Sequence, residues 1–342
     1  MRSRVIAATL VAASLALAGC ASTKASSSGS DSDSTDLSVV GFSVLEAANV
    51  PVFADFAKTD AGKDVQITTS YGASGDQSRA VEGGLDADLV HFSLEPDMTR
   101  LVDSGQVAED WKDNATKGIA TSSVVSFVVR PGNPKNIKGW DDLIKPGVEI
   151  ITPNPASSGS AKWNILAAWA HVVGAGGSEA EAQTFVKKLL QNTIALPGSG
   201  RDATTAFTEG NGDVLLSYEN EAIVARASGA DVDYLVPDDT LLIQNPAAVL
   251  KDADPKAQDL LDFMTSAEGQ ADYAKSGLRP VIDGVTLPEV KGANDPSDPF
   301  PTPSKLYTID DDFGGWADAN TKFFDENDGI ITKLQQDTGT LE

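Results

Sequence analysis

Four short segments rich in serine and glycine combine residue types that suit the capture of a small anion. Each one follows a strand-like run and precedes a helix-like run. Small residues at such a turn let an anion approach the backbone, and the first turn of the helix presents unpaired N–H groups with a partial positive charge. The four segments lie at residues 41–43, 71–75, 155–160 and 198–201.

The order of strands and helices places each of these turns at the end of a strand. Helix-like runs separate strand-like runs at 37–44, 65–71, 89–94, 122–130, 148–152, 213–218, 232–236 and 247–250, and a last helix is predicted near 316–324. Such alternation predicts parallel sheets covered by helices on both faces. Ligands bind at the carboxyl ends of strands in such sheets, which is where the four turns lie.

The expected fold class is α/β with two lobes. Each lobe is expected to be a mainly parallel sheet flanked by helices, with the ligand cleft between the lobes. Residues 37–124 and 237–342 are assigned to lobe 1, and residues 125–236 to lobe 2. Two chain crossings of this kind are the plan of a binding protein that closes about a hinge.

The first 36 residues have the composition of an export signal and a tether. Arg2 and Arg4 precede an apolar stretch, which predicts a secretory signal peptide over residues 1–19. Cys20 is the one cysteine in the chain, and Leu-Ala-Gly before it resembles the bacterial lipobox. We therefore expect lipidation of Cys20, with a buried thiol as the alternative. Residues 20–36 are rich in serine and predict a flexible tether.

The charge balance excludes some partners. The 342 residues include 26 basic and 50 acidic side chains, a net charge of −24. Such an acidic chain is not expected to bind nucleic acid. An anionic ligand is still compatible with it, because backbone donors act at short range and salt screens the distant field beyond about 8 Å.

Enzymatic and metal chemistry find little support in the residue content. The pattern G-x-G-x-x-A at 198–203, with Glu219 about twenty residues on, fits a dinucleotide fingerprint, but it is short and an exported chain meets little NAD. There is no G-x-S-x-G elbow and no P-loop. The two histidines, His91 and His171, do not form a histidine-rich metal motif. We therefore expect no catalytic residue, no cofactor and no metal.

Five segments carry a family resemblance. They are FVVRPGNPK at 127–135, WDDLIKPGV at 140–148, ITPNP through WN at 151–164, GDVL through ENEA at 212–222, and FGGW at 313–316. Together they resemble the sulfate- and thiosulfate-binding proteins of bacterial ABC importers. The similarity extends over nearly the whole chain after Leu37 and is densest between residues 127 and 163.

This resemblance implies a monomeric solute-binding lipoprotein that passes sulfate or thiosulfate to the permease subunits of an ABC importer. It implies an exported protein, anchored to the outer face of the cytoplasmic membrane or lying in the periplasm. Tyr218 stands where the family has a tryptophan donor, and Arg201 and Gly75 are expected to support the site. The other implied ligand groups are the Ser158 hydroxyl and the backbone N–H groups of Ser43, Ser74, Gly159, Ser160 and Gly200.

Ligand choice within this family is expected to depend on the balance of donors and acceptors. Sulfate carries no proton at neutral pH and needs donors alone, whereas the O–H of hydrogen phosphate needs an acceptor as well. Asp76 and Asp202 are the candidate acceptors, although Asp202 can instead pair with Arg201. A receptor for molybdate, tungstate or phosphate is therefore the alternative, and a surface adhesin or sensor with the same fold is another.

Overall fold

The computed structural model describes residues 34–340, and within them the chain forms ten strands and thirteen helices. The strands are β1 (Thr35–Phe42), β2 (Val65–Gly72), β3 (Leu89–His91), β4 (Ile119–Val129), β5 (Ile150–Ile151), β6 (Thr193–Ala195), β7 (Val214–Tyr218), β8 (Asp233–Leu235), β9 (Asp239–Val249) and β10 (Lys305–Tyr307).

The helices flank these strands. They are α1 (Leu45–Phe56), α2 (Ser74–Glu82), α3 (Glu95–Asp103), α4 (Trp140–Leu143), α5 (Gly159–Gly174), α6 (Glu179–Gln191), α7 (Gly200–Thr208), α8 (Glu219–Ala227), α9 (Lys256–Met264), α10 (Ala267–Lys275), α11 (Ile309–Phe313), α12 (Trp316–Phe324) and α13 (Ile330–Thr338). Between residues 34 and 340, no helix is both long and apolar enough to cross a membrane.

Two long strands, β4 and β9, connect two groups of strands. β9 pairs with β3 over residues 247–249, and β1 lies parallel between β2 and β3. β4 pairs with β7 over 125–129 and with β8 over 127–129, and β5 lies parallel between β7 and β6. Between these segments β4 and β9 pair with each other, antiparallel, over 121–124 and 242–245. The α/β fold with a sheet flanked by helices is therefore confirmed, and the sheet is mixed, because β4 and β9 pair antiparallel with each other and with β7 and β3.

The parallel pairing decides where the turns meet. Because β1, β2 and β3 are parallel, the turns that follow them lie at one edge of their group of strands. The same holds for β5, β6 and β7. The serine- and glycine-rich turns therefore gather at the carboxyl ends of the two groups.

Helix α5 lies inside the protein. Nearly all of its first twelve residues are buried, including Trp163 and Trp169. The Trp163 ring packs edge-on against Trp316, and the Trp169 ring packs in the same way against Phe323. A helix that is apolar on all sides is held by its neighbours. Packing therefore fixes the position of the α5 N-terminus.

Strands β3, β9 and β10 and helix α13 are among the elements that differ from the sequence expectations. β9 begins at Asp239, eight residues before the predicted start, and it tolerates Pro246 because the register with β4 shifts opposite this residue. The strand predicted at 89–94 ends at His91. The short strand β10 was not expected. Helix α13 was not expected either, because the helix near 316–324 was predicted to be the last.

Candidate ligand-binding site

The N-terminus of α5 carries a serine that does not cap its own helix. Ser158 occupies the N-cap position with an extended backbone, and its side chain accepts no hydrogen bond from the first turn. Its own backbone N–H donates to the Asn154 carbonyl oxygen at 2.8 Å. The side-chain oxygen of a serine at this position usually accepts a hydrogen bond from the N2 or N3 N–H group. The buried Ser158 hydroxyl is instead available to another partner.

Four of the predicted backbone donors belong to first helical turns. Ser74 begins α2, Gly159 and Ser160 begin α5, and Gly200 begins α7. Within residues 34–340, no protein acceptor lies within hydrogen-bonding distance of these four N–H groups. All four residues are buried. Unpaired N–H groups are normal at a helix start in water, but buried ones require a partner.

These helix starts lie against one another. A Cβ atom on Gly200 would lie 3.4 Å from the Ser160 Cβ atom. A Cβ atom on Gly159 would lie only 2.4 Å from the Ser93 Oγ atom, so the backbone of α5 meets the turn after β3 without room for a side chain. The Gly75 N–H donates to the Ser157 carbonyl oxygen at 3.2 Å. The structure therefore brings the starts of α2, α5 and α7 together.

The Ser160 hydroxyl lies in this cluster without a partner. Ser160 is 3 % exposed, and among residues 34–340 its Oγ atom has no hydrogen-bond partner. The Cβ position on Gly200 lies 3.5 Å from this Oγ atom. A buried hydroxyl without a partner costs free energy, about 1 to 3 kcal/mol. A ligand with acceptor oxygens would remove that cost.

Ser43 reaches the same place but uses its backbone differently from the sequence prediction. Its N–H donates to the Gly72 carbonyl oxygen at 2.7 Å, which extends the β1–β2 ladder by one residue. Its hydroxyl accepts from the Arg201 N–H at 3.4 Å. The backbone N–H of Ser43 is therefore already paired, and the hydroxyl is the group that contacts the start of α7.

Tyr218 ends β7 and is fully buried. Its hydroxyl lies 2.7 Å from the Ser93 Oγ atom and accepts from the Asn245 side chain at 3.4 Å. Burial raises the pKa of the phenol, so the hydroxyl stays protonated. The Ser93 N–H donates to the Ser74 hydroxyl oxygen at 2.9 Å. Tyr218 is therefore connected to the start of α2 through Ser93.

The Arg201 guanidinium is paired behind the cluster. It donates to the Glu221 carboxylate at 2.8 Å, and Thr204 donates to the other oxygen of that carboxylate at 2.9 Å. Burial raises the pKa of Glu221, and the Arg201 charge opposes that rise. Arg201 does not form the alternative pair with Asp202, which instead accepts from the Ser199 hydroxyl at 2.8 Å at the α7 N-cap.

Neither candidate acceptor for a phosphate O–H is buried. The Asp76 side chain is 60 % exposed and pairs with Arg79, and Asp202 is exposed. The buried carboxylate beside the cluster is Asp97, which accepts from the Ser74 hydroxyl at 2.6 Å. Burial raises the pKa of Asp97, and the Ser74 hydrogen bond opposes that rise.

Sequence reasoning missed Ser93, Asp97 and Asn245. The Ser93 carbonyl oxygen accepts from the Trp163 indole and from Asn245, each at 3.0 Å, so this residue organises the buried network. One signal was available, because Pro96 lies in the first turn of α3 and proline favours that position. This signal would have ended the strand predicted at 89–94 earlier and placed Ser93 in a turn at the end of that strand.

Two other predictions concern Cys20 and metal ligands. Cys20 lies outside the described residues. Among residues 34–340, no three histidine, cysteine or carboxylate side chains lie close enough to hold a metal ion. Burial lowers the pKa of His91 to about 3, and its Nε2 atom lies 3.0 Å from the Thr121 hydroxyl.

Comparisons with known proteins give a consistent result. The sequence profile of the bacterial extracellular solute-binding proteins matches residues 37–279. A sulfate-binding protein of Synechococcus elongatus is 39% identical over 311 residues, 88% of this chain and 87% of that protein. A thiosulfate-binding protein of Pseudomonas aeruginosa is 34% identical over 285 residues, 80% and 83% of the two chains. The solved structure of the sulfate-binding protein SubI from Mycobacterium tuberculosis H37Rv has a TM-score of 0.79 and 46% identity, covering 85% of this chain and 100% of that one.

Proposed function

The chain belongs to the family of bacterial extracellular solute-binding proteins, and from that premise we propose that it captures sulfate or thiosulfate and delivers the anion to an ABC importer. The observation that carries the proposal is the meeting of three helix starts. Within residues 34–340 their four N–H groups and the Ser160 hydroxyl have no protein partner, and in the proposed site they donate to one buried anion. The Ser158 hydroxyl adds a further donor at the start of α5.

A site of this composition favours an oxyanion that carries no proton. Two buried carboxylates contact site residues, and both already accept hydrogen bonds: Asp97 from Ser74, and Glu221 from Arg201 and Thr204. Hydrogen phosphate would bring an O–H group whose acceptors in the proposed site would be limited to serine hydroxyl oxygens, because both carboxylates already accept hydrogen bonds from the protein. An unpaired buried donor costs about 1 to 3 kcal/mol, or about one to two orders of magnitude in affinity. The proposal is therefore selection against phosphate by the lack of a carboxylate acceptor directed at the anion.

The capture step needs no covalent chemistry. In the proposed mechanism, lobe 1 (37–124 and 237–342) and lobe 2 (125–236) close over the anion about β4 and β9. In this mechanism the described structure has the two lobes in contact across the cleft, since Gly75 donates to Ser157 and Ser93 contacts Tyr218. Fixed backbone dipoles then replace the water around the anion at little reorganisation cost. Closure produces the surface that the permease is proposed to recognise.

Calorimetric titration of the purified protein with sulfate, thiosulfate, molybdate and phosphate in chloride buffer tests the proposal. We expect one-to-one binding of sulfate or thiosulfate, and phosphate binding that is at least about tenfold weaker because its O–H lacks a carboxylate acceptor. Equal or tighter binding of phosphate would contradict the donor-only site. No heat with any of the four anions would remove the proposed function.

The location of the protein is proposed from the sequence of its first residues. We propose that residues 1–19 are removed and that Cys20 receives the lipid that holds a monomeric receptor at the outer face of the membrane or in the periplasm. In a fractionated bacterial host, the Cys20→Ser variant should move from the membrane pellet to the soluble fraction, whereas the Ser22→Ala control should stay in the pellet. Retention of both variants in the pellet would argue against lipidation.

A further inference from the structure

A wide cavity opens beside the proposed binding site. Its volume is about 560 Å³, within the range of small-molecule pockets and much larger than one four-oxygen anion requires. Ser158 and Gly159 line it, whereas Ser160, Gly200 and Tyr218 do not. We call this space the outer cavity and the cluster of helix starts the inner site. The two share the start of α5.

Three cationic side chains from three different helices line the outer cavity. Arg79 belongs to α2, Arg100 to α3 and Lys162 to α5. Each keeps solvent contact: the Arg79 and Arg100 side chains are 46 % and 35 % exposed, and Lys162 is partly buried. The Arg79 guanidinium lies close to the inner site, because a Cβ atom on Gly75 would be 3.4 Å from its Nη1 atom.

Local pairing leaves donors available on these cations. Arg79 pairs with Asp76 at 2.5 Å, and the contact of Arg100 with Glu82 is longer, at 3.6 Å. The Arg100 Nε atom is buried and has no hydrogen-bond partner within residues 34–340. Lys162 donates to the neutral Asn320 side chain at 2.9 Å. An oxyanion in the cavity would therefore find N–H groups that protein acceptors do not saturate.

Three acidic residues also line the outer cavity. Asp97 is buried and already accepts a hydrogen bond from Ser74. Asp325 accepts the backbone N–H groups of Asn327 and Asp328, and Glu326 is exposed to solvent. Burial lowers the pKa of Lys162, Asp97 opposes this, and Arg100 and Arg79 add to it because like charges repel. The cavity thus combines three cations with three carboxylates, of which Asp97 and Asp325 already accept hydrogen bonds from the protein.

From this arrangement we propose that the outer cavity is a second, weaker anion site, which collects a doubly charged oxyanion from solution through Arg79, Arg100 and Lys162 and passes it along Ser158 to the inner site. The proposal rests on the proposed function. A chain with a net charge of −24 repels anions at long range, so a local cationic site raises the anion concentration where capture begins. Its effect is therefore on the rate of association.

Stopped-flow fluorescence with sulfate tests this proposal. Trp163 reports on the inner site, because its indole donates to Ser93. The variant Arg79→Gln/Arg100→Gln should associate about tenfold more slowly, with a weaker salt dependence and a dissociation rate that changes by less than about twofold. The control Lys58→Gln/Lys145→Gln also loses two cations from exposed ion pairs, but neither residue lines the cavity. It should associate like the wild type.

A further variant, which is expected to speed association, keeps the test independent of folding defects. Glu326→Gln removes an exposed acid from the cavity and should speed association by about twofold, an outcome that damage to the fold does not produce. If the wild type binds sulfate and the double variant associates at the wild-type rate with the same salt dependence, the outer site is overturned alone. If the wild type does not bind sulfate at all, the outer site falls together with the proposed function.

Discussion

The proposed inner site presents uncharged N–H and O–H donors, whereas the outer cavity beside it presents the charged side chains of Arg79, Arg100 and Lys162. The inner donors are buried and belong to the backbone and side chains of helix starts. The outer cations are partly exposed and sit on flexible stems. Both regions attract an anion, but they do so by different physical means.

This difference separates selectivity from speed. Fixed backbone donors discriminate because each one has a set direction and none can act as an acceptor. Exposed charges attract any anion at longer range and are screened by salt. The Arg201 charge beside the inner cluster is paired with Glu221, and the Asp97 carboxylate beside it accepts from Ser74. We therefore expect inner variants to change affinity and outer variants to change association rates.

The largest expected effect is at Gly159. In Gly159→Ala the new Cβ atom would lie 2.4 Å from the Ser93 Oγ atom and 2.7 Å from the Leu94 Cγ atom. Closure over the anion must then separate these segments, and we expect a loss of about 2 kcal/mol, or about thirtyfold in the sulfate dissociation constant. Calorimetric titration measures it.

Gly139→Ala is the matched control, because a Cβ atom there meets no atom within 4 Å and the backbone is extended. Its sulfate affinity should equal that of the wild type. An equally tight Gly159→Ala variant would show that the start of α5 does not close against Ser93, and the inner site would lose its geometric basis.

The second effect distinguishes a ligand donor from a helix cap. Ser158→Ala should weaken sulfate binding by about 1.5 kcal/mol, about tenfold, because it removes one hydrogen bond to a charged group. It should change the free energy of unfolding little, since Ser158 makes no side-chain cap bond.

Ser178→Ala should show the reverse behaviour. Ser178 caps α6 and forms a reciprocal capping box with Glu181, so its loss should cost about 1 kcal/mol of stability while sulfate affinity stays unchanged. Urea unfolding gives the stability change of Ser158→Ala and Ser178→Ala, and calorimetry gives the change in sulfate affinity of each. Equal affinity loss in the two variants would mean that Ser158 acts through the helix and does not donate to the anion.

A smaller effect is expected at Tyr218. Its hydroxyl contacts Ser93 and Asn245, so we expect it to position Ser93. Tyr218→Phe should therefore reduce sulfate affinity by less than about fivefold, which is a smaller loss than that of a direct donor. A loss as large as that of Ser158→Ala would instead make Tyr218 a ligand donor, as the family resemblance implies.

The smallest predicted effect concerns the buried, neutral side chain of His91. The pKa of His91 is lowered from 6.5 to about 3 by burial, so the unfolded chain binds a proton before the folded chain does. Stability from this group is present above pH 6.5 and falls as the pH drops toward 3. Between pH 7 and pH 6 the expected loss is about 0.7 kcal/mol.

His171 would obscure this measurement, because its pKa is raised: burial lowers it, but the Asp239 and Asp141 carboxylates outweigh burial. Its stability contribution is lost as the pH rises, which is the opposite sign. Unfolding of His171→Gln should therefore be compared with unfolding of His91→Asn/His171→Gln. The pH slope between 7 and 6 should shrink in the second protein, and an unchanged slope would contradict the buried neutral state of His91.

Local sequence patterns predicted the turns of the inner site but not every contact. The starts of α2, α5 and α7 follow from serine and glycine after strand-like runs, and those signals lie within a few residues. The pairing of the Ser43 N–H with Gly72 depends on the register between β1 and β2, which no local pattern states. Arg201 pairs with the buried Glu221 carboxylate of α8 and not with the adjacent Asp202, which caps α7 with Ser199.

The outer cavity was beyond sequence reasoning for a similar reason. Arg79, Arg100 and Lys162 lie on α2, α3 and α5, and their convergence depends on how these helices pack. In the sequence each is an ordinary charge on a helix, and α3 itself was not predicted. Side chains far apart along the chain become a site only through tertiary structure.

The backbone amide NMR spectrum of the protein during a sulfate titration tests the central claim most directly. A charged acceptor deshields the protons that donate to it, so the amide signals of Ser74, Gly159, Ser160 and Gly200 should show the largest downfield shifts. The Ser43 amide, which is already bonded to Gly72, should shift much less. Large shifts confined to residues of the outer cavity, with the four inner amides unmoved, would contradict the account.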